Sequence, residues 1–143
     1  MKPTIRHTGI VVRDLEKCLS FWCDLLNFSL VKKMQESGTH MDAILGLKNA
    51  RLTTVKLADS EGNVIELLNF HSHPDKVSWK GKTFSTGLTH IALNVNNISK
   101  FYQRLSKEGY SCNAPPQVSP DGLAKVTYLK GPEGLFIELV EVM

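Results

Sequence analysis

The chain has 143 residues, 42% hydrophobic and 22% charged, with a formal net charge of +3 from 17 Lys and Arg against 14 Asp and Glu. That is one ordinary domain's length at the composition of a soluble globular protein, which excludes disordered and fibrous classes. No apolar run approaches a membrane span of roughly 18–20 residues, no basic block marks a nucleic-acid footprint, and Met1-Lys2-Pro3 leads straight into strand-like sequence, so a cytoplasmic protein without membrane or nucleic-acid partners is expected.

The first predicted element is a strand beginning at His7-Thr8-Gly9-Ile10-Val11-Val12. A helix follows, in which Leu15, Leu19, Trp22 and Leu26 recur at helical spacing. Asp14 stands where an N-cap accepts from the first free N–H groups, and Asn27 where the helix stops. A strand is expected over roughly Phe28 to Gln35. The segment Glu36 to Asn49 then reads as an insertion, with one or two helical turns over Met41-Asp42-Ala43-Ile44-Leu45 closed by Gly46. Leu57 to Leu68 reads as a hairpin turning at Glu61-Gly62. Phe70 to Thr86 is a polar linker. His90-Ile91-Ala92-Leu93 opens a new strand, and Asn97 caps a helix carrying Ile98, Phe101, Tyr102 and Leu105 that stops at Gly109. A strand over Tyr110 to Val118 and a hairpin over Leu129 to Val140 complete the chain. Cys18, Cys23 and Cys112 have no metal-ligand spacing and read as reduced, packed thiols.

Taken in this order, the second half repeats the first. Six of twelve positions are identical when Leu57–Leu68 is laid over Leu129–Val140, and His7 falls on His90. Each copy is β-α-β-β-β. The expected organisation is one domain, 1–143, of α+β class, made of module one (about 5–70) and module two (about 87–142). His7 to Glu66 spans 59 positions and His90 to Glu138 spans 48, so the first copy carries about 11 extra residues within 36–49.

Four residues occupy matching places: His7 and His90 in first strands, Glu66 and Glu138 in last strands. Two neutral nitrogens and two anionic oxygens suit a divalent transition ion such as Ni, Co, Zn, Mn or Fe. A lone strand histidine is ordinarily a satisfied structural residue, and a duplication copies such a residue as readily as a ligand. The carboxylates weigh more. Ile65-Glu66-Leu67 and Ile137-Glu138-Leu139 place charge in apolar strands, where an uncompensated carboxylate is costly.

With these residues in view, the chain resembles the vicinal oxygen chelate superfamily: glyoxalase I, methylmalonyl-CoA epimerase, extradiol dioxygenases, and the bleomycin and fosfomycin resistance proteins. The resemblance runs from His7 through Glu138. It rests on His7-Thr8-Gly9-Ile10-Val11-Val12, Phe21-Trp22, Leu25-Leu26-Asn27-Phe28, Thr89-His90-Ile91-Ala92-Leu93 and Gly131-Pro132-Glu133-Gly134 leading into Ile137-Glu138-Leu139. It implies two paired βαβββ modules in a U-shaped, eight-stranded mixed sheet around one divalent metal held by His7, Glu66, His90 and Glu138. It also implies a homodimer, in which the site is completed within one chain or between two.

Members of this superfamily bind adjacent substrate oxygens and stabilise a developing oxyanion. Four ligands with two carboxylates resemble the proton-moving members, glyoxalase I and the epimerases, more than the facial-triad dioxygenases. The expected function is thus a metal-dependent isomerase, epimerase or glyoxalase-type lyase acting on a small vicinal-oxygen substrate, with Glu66 or Glu138 as base. Alternatives are lactoylglutathione lyase proper, an extradiol dioxygenase or a non-catalytic small-molecule or antibiotic binder. The bacterial glyoxalase pattern has Arg four positions after its first ligand, where this chain has Val11, with Arg13 two further on. The epimerase pattern has Glu after the second strand, and Glu36 falls about there. His40, His71 and His73 read as loop residues, Phe21, Trp22 and Trp79 as core, and Arg51 as an exposed or paired strand residue.

Overall fold

The computed structural model describes residues 1–75 and 77–143; Lys76, inside the expected linker, lies outside the described residues. The chain divides into two compact units, Met1–Val77 and Ser78–Met143, each with one copy of the repeat.

In the first unit, β1 (Thr8–Val11) leads into α1 (Leu15–Leu19), which widens into a π-helical stretch over Ser20–Leu25. Asp14 caps α1 by accepting from the Lys17 N–H at 3.0 Å, and Asn27 ends the helix at a φ of 60°. Strands β2 (Ser29–Ser37), β3 (Arg51–Ala58) and β4 (Val64–Phe70) complete a sheet of order β1-β4-β3-β2. β1 runs parallel to β4, and the other pairs are antiparallel. Strand periodicity separates two faces. Val55, Leu57, Ile65 and Leu67, 5% exposed or less, share one face and form the core with Phe21, Trp22 and Leu25. Lys56 and Glu66 point to the other.

The insertion folds as expected. α2 (Thr39–Leu45) ends at Gly46, whose φ of 66° is the left-handed conformation that closes a helix cheaply only with glycine. The Asp42 carboxylate accepts from the N–H groups of Asn49 and Ala50 at 2.9 and 2.8 Å. The chain is thereby pulled back into β3, with Met41, Ala50 and Leu52 buried.

The second unit holds β5 (His90–Asn94), α3 (Ile98–Lys107), β6 (Ser111–Cys112), β7 (Gln117–Val118), β8 (Ala124–Lys130) and β9 (Phe136–Val142). The sheet order is β5-β9-β8-β6, with β7 also pairing with β8. Asn97 caps α3 through the Lys100 N–H at 2.9 Å. The single strand expected over Tyr110 to Val118 is instead two short ones. Pro115 and Pro116 between them lack the N–H groups a ladder needs. Trp79, expected in the core, is 49% exposed; it meets Phe136 edge-on at 5.9 Å. Its ring lies where a Cβ on residue 81 would stand, so a larger residue in place of Gly81 would displace the indole. Among the described residues, no helix is long and apolar enough to cross a membrane.

Asp42→Ala removes both hydrogen bonds that return the insertion to β3. The expected result is a loss of about 1–3 kcal/mol, since bonds to charged acceptors contribute at that level. Urea denaturation measures it, and an unchanged midpoint would show that the insertion is held by other contacts.

Candidate metal centre

Strand pairing brings each half of the expected ligand set together inside its own unit. Gly9 on β1 lies opposite Glu66 on β4, and His7, two residues ahead of Gly9 and just outside β1, falls on the same face. His7 Nε2 is 3.7 Å from Glu66 Oε1. In the second unit, His90 opens β5, and Ala92 lies opposite Glu138 on β9. His90 Nε2 is 3.2 Å from Glu138 Oε2. Small residues, Gly9 and Ala92, thus flank both carboxylates and leave the adjoining space to the imidazoles. All four side chains are partly buried, between 16% and 33% exposed. Among the described residues of either unit, no third His, Cys, Asp or Glu joins the pair.

The antiparallel neighbours of the two glutamates add a third group that differs between the units. Lys56 lies opposite Glu66, its Nζ 3.8 Å from Glu66 Oε2. Tyr128 lies opposite Glu138, and its hydroxyl is 3.4 Å from His90 Nε2. Burial, and then the negative charge of Glu138, push the Tyr128 phenol above its ordinary range. Glu66 is therefore engaged at both oxygens. For Oε1 of Glu138, no partner stands within hydrogen-bond or ion-pair distance among the described residues.

Do these groups fit a divalent ion? Two ligand atoms about 2.1 Å from one ion and 90–110° apart lie about 3.0–3.4 Å from each other. The His90–Glu138 separation of 3.2 Å falls in that range, and the His7–Glu66 separation of 3.7 Å lies just above it. Thr89 Oγ1 is 3.0 Å from His90 Nδ1, so it can accept the ring proton there and leave the Nε2 lone pair for a metal. His7 Nδ1 is buried with no hydrogen-bond partner among the described residues. Within each unit, one imidazole and one carboxylate offer the nitrogen and oxygen donors that a borderline transition ion takes. Each pair fits as part of a metal site.

The cysteines do not compete for this role. Among the described residues, Cys18, Cys23 and Cys112 form no disulfide. Burial, then Asp24, raises Cys23; burial raises Cys112 against the opposing hydrogen bond of Thr127.

Three groups escaped the sequence reading. Lys56 and Tyr128 stand one residue before the aligned segments that begin at Leu57 and Leu129, so extending the repeat by one position would have paired them. His71 is more than a loop residue: its Nε2 lies 2.6 Å from Thr53 Oγ1, which also donates to Gln35 at 3.0 Å. Those three residues, with Arg13, Lys33 and Asn69, line a cavity of about 570 Å3 in the first unit. Glu36 lies near the end of β2 and lines a smaller cavity, of about 30 Å3, together with Glu66. Arg51 is exposed at the start of β3.

The family model described as the Glyoxalase/Bleomycin resistance protein/Dioxygenase superfamily matches residues 4–139. A protein of Synechocystis sp. named probable lactoylglutathione lyase is 29% identical over 138 residues, covering 94% of this chain and 92% of that protein. Another of that name, from Vibrio cholerae, is 27% identical and covers 96% of this chain and 89% of its own. Among solved structures, a glyoxalase family protein from Bacillus cereus superposes with a TM-score of 0.88 at 22% identity, covering 97% of this chain and 93% of that one.

Thr89→Val keeps the shape beside His90 and removes the group able to hold its Nδ1 proton. We predict a loss of about 10- to 100-fold in Co(II) affinity, the usual range for such supporting partners. Competition with a chelating dye measures it. Unchanged affinity would show that Thr89 does not orient the ring.

Proposed function

Because the chain belongs to the Glyoxalase/Bleomycin resistance protein/Dioxygenase superfamily, we propose that it is a divalent-metal-dependent proton-transfer enzyme acting on a small substrate with adjacent oxygens. In this reading His7, Glu66, His90 and Glu138 together hold one Ni, Co, Zn, Mn or Fe ion. The observation that carries it is the pair of repeat-related His–Glu contacts, each in a parallel strand pair and each partly buried. A bound ion supplies Lewis acidity, stabilising negative charge as it develops on the substrate's oxygens.

The protein's own residues then have distinct tasks. Glu66 is held on both sides, by His7 and Lys56, and acts as a fixed ligand. Glu138 has an oxygen without a protein partner and takes the carbon-bound proton. Tyr128, kept protonated by burial and by Glu138, offers a hydrogen-bond donor beside that carboxylate. Delivery of a proton to the opposite face of the same carbon, from a second group or solvent, would give epimerisation, and delivery to the neighbouring carbon glyoxalase-type isomerisation. Two relatives named lactoylglutathione lyase support the second outcome; Val11 in place of the glyoxalase arginine supports a substrate other than a glutathione adduct.

Two measurements test this reading. Protein purified without added metal is expected to carry one divalent ion per chain by elemental analysis, and His7→Ala and Glu138→Ala to lose it; full occupancy in both variants would overturn the ligand set. Exchange of the carbon-bound hydrogen with deuterated water, screened over hydroxy-carbonyl compounds, is expected without oxygen uptake. Glu138→Gln should slow it by about 100- to 10,000-fold, the share a positioned base supplies. Exchange lost in Glu36→Gln but kept in Glu138→Gln would move the base to Glu36, which lines a cavity with Glu66. Oxygen consumption with a catechol and no exchange would make the chain a dioxygenase.

The same reading includes a homodimer. β2 is a nine-residue edge strand of its sheet with Leu30 and Val31 more than half exposed, a surface that invites pairing. Equilibrium sedimentation at tens of micromolar should give twice the chain mass; a monomer would refute it.

A further inference from the structure

Lys32, Lys56, Glu66 and Gly9 form one row across the sheet of the first unit, each opposite the next on β2, β3, β4 and β1. Lys32 and Lys56 line the same cavity as Glu66, with Met34 and Thr54 beside them. Glu36, four residues along β2 from Lys32, lines the same cavity, so two lysines and two glutamates share it.

Like charges directly opposite each other in a strand pair are destabilising. Nothing in the sheet relieves them fully. Lys56 reaches Glu66 at 3.8 Å, and among the described residues no carboxylate stands within ion-pair distance of Lys32. Once Glu66 gives its charge to a metal, Lys56 loses its partner as well. The pair is then a two-cation surface beside Glu66, with half-buried Lys56 3.8 Å from its carboxylate and exposed Lys32 one strand spacing, about 5 Å, further out.

We infer that Lys32 and Lys56 form a subsite for a carboxylate or phosphate group of the substrate, so that the proposed enzyme acts on an anionic vicinal-oxygen compound. The inference rests on the metal reading above and narrows its substrate class. A substrate whose paired oxygens sit at Glu66 would lay its anionic end along the row toward β2. Lys33, the next residue, points to the opposite face, where it lines the larger cavity, and serves as an internal control.

The experiment uses the full chain loaded with Co(II), its content measured first and ligand binding followed by the visible Co(II) spectrum. Three probes share a hydroxyl next to a carboxylate: 2-hydroxybutyrate with a neutral tail, 2-hydroxyglutarate with a carboxylate tail, and 3-phosphoglycerate with a phosphate tail. At least one charged-tail probe is expected to bind about two- to fivefold tighter than 2-hydroxybutyrate, the range for a partly exposed ion pair; which one identifies the anion. Lys32→Gln should abolish that preference, Lys32→Arg should keep it, and Lys33→Gln should leave it unchanged. Equal binding of all three probes, or equal effects of Lys32→Gln and Lys33→Gln, would overturn the subsite while leaving the metal site standing. A wild-type chain that holds no Co(II) would overturn the metal reading itself, and this inference with it.

Discussion

Glu66 sits between Ile65 and Leu67, and Glu138 between Ile137 and Leu139, and those four apolar neighbours are each 5% exposed or less. A strand with that pattern must turn its odd face to the core, which fixes where the carboxylate goes: onto the other face, partly buried, with limited access to water. A carboxylate so placed needs compensation. The fold supplies it sideways, through the strand neighbours, because β1 and β5 are parallel partners that bring an imidazole alongside while β3 and β8 bring Lys56 and Tyr128 from the other side.

The two units solve this problem differently although they are built on the same repeat. Lys56 neutralises Glu66 and holds its second oxygen, whereas Tyr128 offers Glu138 only a polar hydroxyl and takes a raised affinity for its own proton in return. Duplication followed by such divergence separates roles. One carboxylate is engaged at both oxygens, and the other keeps an oxygen with no partner among the described residues. Thr89, next to His90, has no counterpart beside His7, where Arg6 is exposed and Nδ1 is left without a partner. The asymmetry therefore extends to both imidazoles.

The departures from the repeat lie in β2 and its equivalent. In the first unit an uninterrupted β2 leads to α2, and Asp42 ties the insertion back to the sheet. In the second, Pro115 and Pro116 break the equivalent strand into β6 and β7, since neither can donate to a ladder. The first unit consequently carries the longer surface on the glutamate face, with Lys32, Met34 and Glu36 added to it.

Periodicity and capping residues by themselves determined the local elements: the helices from Asp14 and Asn97, the turn at Gly46, the hairpins at Gly62 and Gly134. These depend on neighbours a few positions away. The repeat determined that His7 corresponds to His90 and Glu66 to Glu138, because duplication preserves order along the chain. Which groups stand beside those residues was decided by strand register. Lys56 meets Glu66, Tyr128 meets Glu138, and Lys32 meets Lys56 only once antiparallel pairing has aligned positions that are 10 to 24 residues apart. A single-residue slip would turn each of these side chains to the opposite face. Burial of Trp22 was legible in helical spacing, whereas its partners in that spacing, Leu15, Leu19 and Leu26, are only half-buried; the half-exposure of Trp79 was not legible, since an aromatic residue in a linker takes its environment from the strand it folds against.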